Sequence, residues 1–144
     1  MIIGIGTDLV DITRIQKALS KHGDKFETRM FTPNERAYAM NQANPAASFA
    51  KRFAAKEAFS KALGFGLKGL SSNGKSEVSF QDFEIINDEL GKPEFVFSPK
   101  LTEKLQALKR SVSGEQEGAI KVHLSLSDEL PFAMAYVMIE LIES

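Results

Sequence analysis

The chain has 144 residues, of which 43% are hydrophobic, and a formal net charge of −1. This length predicts one domain over residues 1–144, with enough apolar residues for a core. The near-neutral charge argues against general nucleic-acid binding, because affinity for a phosphate backbone needs a basic surplus. The chain has no cysteine, which excludes disulfides and thiolate metal ligands.

The first residues have the pattern of a strand, without a basic leader or a cleavage site. No apolar run approaches the ~20 residues that a membrane-spanning helix needs. We therefore expect neither a signal peptide nor a membrane span, and we expect a cytoplasmic protein.

Residues 1–12 are apolar enough for a buried strand, yet Asp8 lies in their middle and glycines stand at positions 4 and 6. Aspartate is disfavoured in strands, and glycine there often marks the close approach of another backbone or of a ligand. Asp8 therefore either belongs to a site, or ends the strand and caps a turn.

A helix is predicted to run from Asp11, a good N-cap, to His22, with Gly23 as its stop. Three cations recur along it at three- and four-residue spacing and form a basic ridge, which consists of Arg14, Lys17 and Lys21. The ridge is either a solvated outer face or a docking surface for an acidic helix of a partner protein.

Two further helices begin at clear N-terminal signals. Residues 32–35, Thr-Pro-Asn-Glu, form a capping box that opens a helix to Met40, which we interpret as structural. The next helix is predicted to begin with Asn44 as N-cap and Pro45 in its first turn, and to stop at Gly64.

Helical periodicity places Glu57 on the apolar face of this last helix, with Lys61 one turn further on. The same periodicity directs Lys51, Arg52 and Lys56 elsewhere. A charge at the edge of a core is costly unless it is compensated, so Glu57 either pairs internally with Lys61 or belongs to a site. Mg²⁺ is commonly held by one or two carboxylates plus substrate phosphates, so Asp8 and Glu57 together predict a Mg²⁺ site.

The second half of the chain predicts strands and one helix joined by polar loops. The predicted elements are a loop over 65–75, strands over 80–87 and 94–97, a helix over 98–109, a loop over 111–118, and strands over 119–127 and 132–141. The last strand is apolar on both faces, which predicts either the centre of the sheet or a contact between subunits.

The three residue types of a hydrolase triad occur close together at His123, Ser125 and Asp128. Residues i and i+2 of a strand project in parallel, about 7 Å apart, and no glycine elbow surrounds the serine, so the pattern does not favour a triad. Contacts to the phosphate or ribose of a nucleotide suit this geometry better. An ordinary surface histidine remains the alternative.

Four blocks of the sequence closely resemble the holo-(acyl-carrier-protein) synthase family, the bacterial 4′-phosphopantetheinyl transferases. They are Gly-Ile-Gly-Thr-Asp-Leu-Val-Asp-Ile from residue 4, Phe-Thr-Pro-Asn-Glu from residue 31, Arg-Phe-Ala-Ala-Lys-Glu-Ala-Phe-Ser-Lys-Ala-Leu-Gly from residue 52, and His-Leu-Ser-Leu-Ser-Asp from residue 123. Asp11 stands where the family usually has Glu, and the segment 109–118 looks longer than usual.

The resemblance implies a fold and a reaction. The implied fold is α+β, a mainly antiparallel sheet packed on a long central helix, in a homotrimer with active sites between subunits. The implied reaction moves the 4′-phosphopantetheine arm from coenzyme A to a serine of apo acyl carrier protein, with Mg²⁺ as cofactor, and releases adenosine 3′,5′-bisphosphate.

The resemblance also assigns roles. Asp8 and Glu57 would hold Mg²⁺, Glu57 would accept the serine proton directly or through a metal-bound water, and Lys61 would stabilise the leaving phosphate. The matching nucleotide contacts are Arg52, Gly64, Lys92, Pro93, His123 and Ser125. The basic ridge would receive the acidic helix of the carrier protein.

Two other classes of protein remain open as alternatives. A metal-dependent phosphohydrolase would release phosphate from a coenzyme A-like substrate without any carrier. A non-catalytic oligomeric binding module would tolerate loss of either carboxylate and would not depend on Mg²⁺.

Overall fold

The computed structural model describes residues 1–70, 78–114 and 117–143. Their elements, in chain order, are β1 (Ile2–Asp11), α1 (Ile12–His22), α2 (Asp24–Met30), α3 (Pro33–Met40), α4 (Pro45–Ala62), a 3₁₀ turn (Leu67–Leu70), β2 (Phe83–Asn87), β3 (Pro93–Phe97), α5 (Pro99–Ser113), β4 (Gly118–Glu129) and β5 (Phe132–Glu143). No helix in the described ranges is both long enough and apolar enough to cross a bilayer.

The strands form two antiparallel sheets, which confirms the α+β class. One sheet has the order β1-β5-β4, so the apolar strand β5 is its centre, and the other pairs β2 with β3. Helix α4 packs on β1 and β5 with one side. Its other side reaches the small sheet, where the Phe59 ring lies 5.0 Å from the ring of Phe83 and 5.3 Å from that of Phe95.

Strand β1 approaches α4 so closely that side chains are excluded between the two backbones. A Cβ atom added at Gly6 would overlap the carbonyl oxygen of Ala58, and one added at Gly4 would overlap that of Ala62. The two glycines are therefore required by the close backbone approach that their position in a strand predicted. Because residues two apart share a face of a strand, Asp8 faces α4 as well.

Most helix boundaries agree with the sequence signals. Asp11 caps α1 by accepting a hydrogen bond from the Thr13 amide at 2.8 Å. Helix α5 continues to Ser113, beyond its predicted end, so the first residues of the predicted loop 111–118 are helical. Residues 71–75 of the predicted loop 65–75, and residues 115–116 of the predicted loop 111–118, lie outside the described part of the chain.

The burial of α4 corrects one prediction. The Lys56 and Arg52 side chains do not point away from the core, because their residues are only 0% and 2% exposed. Helix α4 is enclosed on two sides, whereas the periodicity argument assumed a single apolar face. Glu57 is only half-buried, at the edge of the core. Lys51 is partly exposed and pairs with Asp128 at 3.0 Å.

Candidate active site

Asp8 lies in the interior of β1, opposite Ala135 of β5. Its side chain is 14% exposed. The alternative in which Asp8 ends the strand and caps a turn is therefore wrong, and Asp11 performs that capping instead. The strand carries a nearly buried carboxylate to the surface of α4.

Lys61 of α4 compensates this carboxylate. Its Nζ atom donates hydrogen bonds to Asp8 Oδ1 at 2.9 Å and to the Thr7 carbonyl oxygen at 3.0 Å. The internal Glu57–Lys61 pair is thus not the main contact of Lys61. The ammonium bridges the strand and the helix.

Glu57 lies within electrostatic range of both groups. Burial raises the pKa of its carboxyl above the ordinary value, the charge of Asp8 raises it further, and Lys61 lowers it. The structure therefore brings together Asp8, Glu57 and Lys61, which we term the carboxylate cluster. All three were predicted from the sequence.

The donor set of this cluster fits a divalent cation. The charge of Asp8 opposes the ionisation of Glu57, and a cation between the two carboxylates would remove that repulsion. Within residues 1–70, 78–114 and 117–143, no group of three or more His, Cys, Asp or Glu side chains is placed to hold a metal. A metal at the carboxylate cluster would need further ligands such as substrate phosphates, the coordination that suits Mg²⁺.

Four of the six predicted nucleotide contacts line two adjoining cavities. The first cavity, of about 320 Å³, is lined by Arg52 and Pro93 among others. The second, of about 240 Å³, is lined by Lys92, Pro93 and His123. Pro93 borders both, so we treat them together as the paired cavities.

The side chain of Arg52 is held at the first cavity by polar and aromatic contacts. Its Nη2 atom donates to Asn87 Oδ1 at 2.9 Å, and its guanidinium lies 3.9 Å from the centre of the Tyr38 ring. Its Nε atom, and the Oγ atom of Ser48 in the same cavity, are buried without a hydrogen-bond partner among the described residues. Buried polar groups are normally paired, so these atoms favour a polar ligand here.

The residues of β4 do not form a hydrolase triad. His123 Nε2 lies 2.8 Å from Glu140 Oε2, and Asp128 is engaged by Lys51. The hydrogen bond from His123 lowers the pKa of the Glu140 carboxyl. Ser125 is exposed on the face of the sheet turned away from α4 and does not line the paired cavities.

Gly64 serves as the stop of α4. Its amide donates to the Lys61 carbonyl at 2.9 Å, and its φ of +79° is favourable for glycine. It lies beside the carboxylate cluster in sequence and outside the paired cavities.

One protomer does not bring the carboxylate cluster and the paired cavities together. Asp8 is on β1 and His123 is on β4, and these strands form opposite edges of the three-stranded sheet. Arg52 and Glu57 are five positions apart on α4, which separates them by about 140° around the helix axis. The two groups of predicted site residues therefore lie on different sides of α4.

The basic ridge of α1 is exposed, as predicted. Ile12 and Ile15 are buried beneath it, and the exposed ridge residues are Arg14, Lys17 and Lys21. The amphipathic pattern of α1 thus separates a core face from a cationic face.

Sequence reasoning missed several polar residues near the site. Tyr38, Ser48 and Asn87 line the first cavity beside Arg52, and Glu35 forms a buried ion pair with Lys56. Glu35 was interpreted only as part of a capping box. No local signal in the sequence links it to Lys56, because the contact joins two different helices.

Comparisons with known proteins agree with this architecture. Residues 4–123 match the 4′-phosphopantetheinyl transferase superfamily. The holo-(acyl-carrier-protein) synthase of Agrobacterium fabrum is 42% identical over 140 residues, covering 97% of this chain and 96% of the relative. The crystal structure of the holo-(acyl-carrier-protein) synthase from Neisseria meningitidis is similar with a TM-score of 0.79 and 40% identity, covering 97% of this chain and 99% of that chain.

A second similar structure contains a ligand. It is a holo-(acyl-carrier-protein) synthase from Bacillus anthracis in complex with coenzyme A (3′,5′-ADP), with a TM-score of 0.69 and 38% identity, covering 100% of this chain and 99% of that chain. The chain therefore belongs to the 4′-phosphopantetheinyl transferase superfamily and, within it, to the holo-(acyl-carrier-protein) synthase family. The enzyme class of the chain is accordingly a phosphopantetheinyl transferase.

Glu57→Gln is expected to stabilise the protein at neutral pH in the absence of divalent cations. A carboxyl whose pKa is raised by folding favours the folded state only while protonated, so its contribution to the free energy of unfolding falls as the pH rises from the ordinary value of 4.5 towards the raised pKa. A glutamine side chain does not ionise, so the variant does not lose this part of the free energy of unfolding as the pH rises. Urea unfolding should show a higher free energy of unfolding for the variant at pH 7 and none of this gain at pH 4.

The matched control is Glu129→Gln, a neutralised carboxylate at an exposed position. It should change the free energy of unfolding equally little at both pH values. Equal stability of Glu57→Gln and the parent at pH 7 would contradict the assigned environment of Glu57.

Proposed function

We propose that the protein transfers the 4′-phosphopantetheine arm of coenzyme A to a serine of an apo acyl carrier protein, with Mg²⁺ as cofactor. The observation that carries the proposal is the carboxylate cluster, held where a glycine-lined strand meets α4. The family membership supports coenzyme A and the carrier protein as substrates.

The residues of the cluster have distinct roles in this reaction. Glu57 accepts the proton of the attacking serine hydroxyl, and its raised pKa makes it a stronger base than an ordinary carboxylate. Lys61, whose side chain is 55% exposed, is free enough to follow the charge that develops on the leaving phosphate. Mg²⁺ held by Asp8 and Glu57 would neutralise the charge of the diphosphate.

The paired cavities would bind the nucleotide. Arg52, Lys92 and His123 supply groups that suit phosphate, and the unpartnered Ser48 hydroxyl and Arg52 Nε supply further hydrogen bonds. Such contacts fix the leaving group without taking part in bond making, which is how phosphoryl transfer is mainly accelerated.

The central experiment incubates the protein with coenzyme A, Mg²⁺ and an apo acyl carrier protein. Mass spectrometry of the carrier should show the gain of one phosphopantetheine arm. Phosphate release without a carrier would indicate the phosphohydrolase instead, and binding without turnover would indicate the non-catalytic module.

Asp8→Asn and Glu57→Gln should each reduce this transfer by about two orders of magnitude or more, while the fold remains intact. Each variant loses a metal ligand, and the Glu57 variant also loses the proton acceptor. Circular dichroism checks the fold, and Glu129→Gln is the control for loss of a carboxylate. Transfer at the parent rate by either variant would exclude the cluster as the reaction centre.

Charge reversal on the basic ridge should impair use of the carrier. Arg14→Glu is expected to raise the KM for the acyl carrier protein and to weaken its dependence on salt, because a steering cation is replaced by a repelling anion. The KM for coenzyme A should stay the same. Lys109→Glu makes the same change of charge on α5, and an equal effect of the two variants would contradict docking at the ridge.

We also infer that copies of the chain assemble, as a homotrimer, with active sites between them. The face of the three-stranded sheet opposite α4 exposes large apolar side chains, which include Ile5, Leu9, Phe132, Met134 and Tyr136. Exposed apolar patches of this kind typically mark interfaces. Contact between copies at this face would bring the carboxylate cluster of one copy to the paired cavities of another.

Complementation tests this shared site. Asp8→Asn copies co-assembled with His123→Ala copies should transfer more than the two variants assayed separately, because some sites then combine an intact Asp8 with an intact His123 of a neighbour. Co-assembly of Asp8→Asn with the double variant D8N/H123A should give no such gain. A mixture no more active than the sum of its parts would place both residues in one protomer's site.

A further inference from the structure

A buried ion pair lies on the side of α4 that faces away from the three-stranded sheet. Lys56 Nζ is 2.6 Å from Glu35 Oε1, and both side chains are 0% exposed. Removing two charges from water is expensive, and a pair of this kind often contributes little to stability compared with apolar residues of similar size. Its presence beside the reaction centre therefore suggests a role in geometry.

The pair joins separate parts of the chain through several further hydrogen bonds. Glu35 Oε1 also accepts from the Thr32 amide at 2.9 Å, and Glu35 Oε2 accepts from the Ile85 amide at 3.0 Å. Lys56 Nζ donates in addition to the Phe80 carbonyl oxygen at 2.6 Å. One carboxylate thus ties together α4, the start of α3 and strand β2.

Lys56 directly precedes Glu57 in α4. The contacts that hold Lys56 therefore also fix the direction in which the Glu57 side chain leaves the helix. On the opposite side of the helix, Gly4 and Gly6 hold the backbone of α4 close to β1. The glycine contact sets the distance between strand and helix but leaves rotation about the helix axis to other contacts. With a carboxylate about 6 Å from that axis, a rotation of about 10° displaces it by about 1 Å.

We propose that Lys56 and Glu35 are positioning residues, which hold α4 in the rotation that presents Glu57 and Lys61 to Asp8. The inference rests on the proposed transfer reaction. Neither residue touches a substrate in this role. They act through the backbone of α4, where misplacement of a catalytic group by 1 Å can reduce the rate by about 100-fold.

The test separates position from stability. The double variant E35Q/K56M removes both charges of the pair together, so neither is left without the other, and it keeps one carbonyl oxygen to accept from a backbone amide. It should remain folded, with an unfolding temperature near that of the parent. Its kcat should nevertheless fall by roughly 100-fold, while the KM for the carrier protein, which docks on α1, stays within about threefold.

A second readout does not depend on turnover. Calorimetric titration of Mg²⁺ into the protein with coenzyme A should show weaker metal binding for E35Q/K56M, because its two carboxylates no longer converge. Leu105→Ala is the control, since it removes a buried side chain of α5, a helix that packs mainly on β3 and β4. It should lower the unfolding temperature while leaving kcat and metal binding unchanged.

A folded E35Q/K56M variant with parental kcat and Mg²⁺ affinity would overturn the proposal. Should the double variant not fold, Glu35→Asp is the deciding variant, because it retains both charges but shortens the carboxylate side chain by one methylene group. Reduced kcat and Mg²⁺ affinity in folded Glu35→Asp would support positioning, and parental values would refute it. The parent is assayed alongside, and its failure to modify the carrier would refute the proposed function itself.

Discussion

The arrangement of the carboxylate cluster depends on the close approach of two backbones. Gly4 and Gly6 allow β1 to lie directly on the carbonyl groups of Ala62 and Ala58, and no larger residue fits between them. Two residues further along the same face, Asp8 is the first side chain after the two glycines that can extend towards the helix. The absence of side chains at the glycines thus determines where the carboxylate meets Glu57 and Lys61.

The sequence predicted this centre because its signals are local and unusual. An aspartate inside an apolar strand and a glutamate near the apolar face of a helix each violate a packing preference, and such violations are expected mainly at functional sites. The N-caps were equally predictable, because the side chains of Asp11 and Asn44 accept hydrogen bonds from amides no more than three residues further along the chain. The family resemblance then connected the two carboxylates to one reaction.

The predictions that failed depended on contacts between distant segments. The burial of Lys56 could not be predicted from α4 alone, because its partner Glu35 lies on another helix. The periodicity argument also assumed that only one face of α4 is buried. The neighbours of Arg52 in the first cavity, Tyr38 and Asn87, are likewise brought in by α3 and β2. Tertiary contacts of this kind override a periodicity argument made for a single helix.

The enclosure of α4 on two sides also explains why the carboxylate cluster and the paired cavities are separated within one protomer. One side is occupied by the sheet, with the carboxylate cluster at its edge, while Arg52 on another side lines the first cavity, and the second cavity lies between β3 and β4. A helix with side chains is about 10–12 Å thick, so groups on its opposite sides cannot both contact one phosphate. In the proposed assembly, the exposed apolar face of the sheet would be the contact through which a neighbouring copy supplies the missing half. Assembly would then be a condition of catalysis, because a lone protomer presents the proposed base and the proposed nucleotide contacts to different regions of solvent.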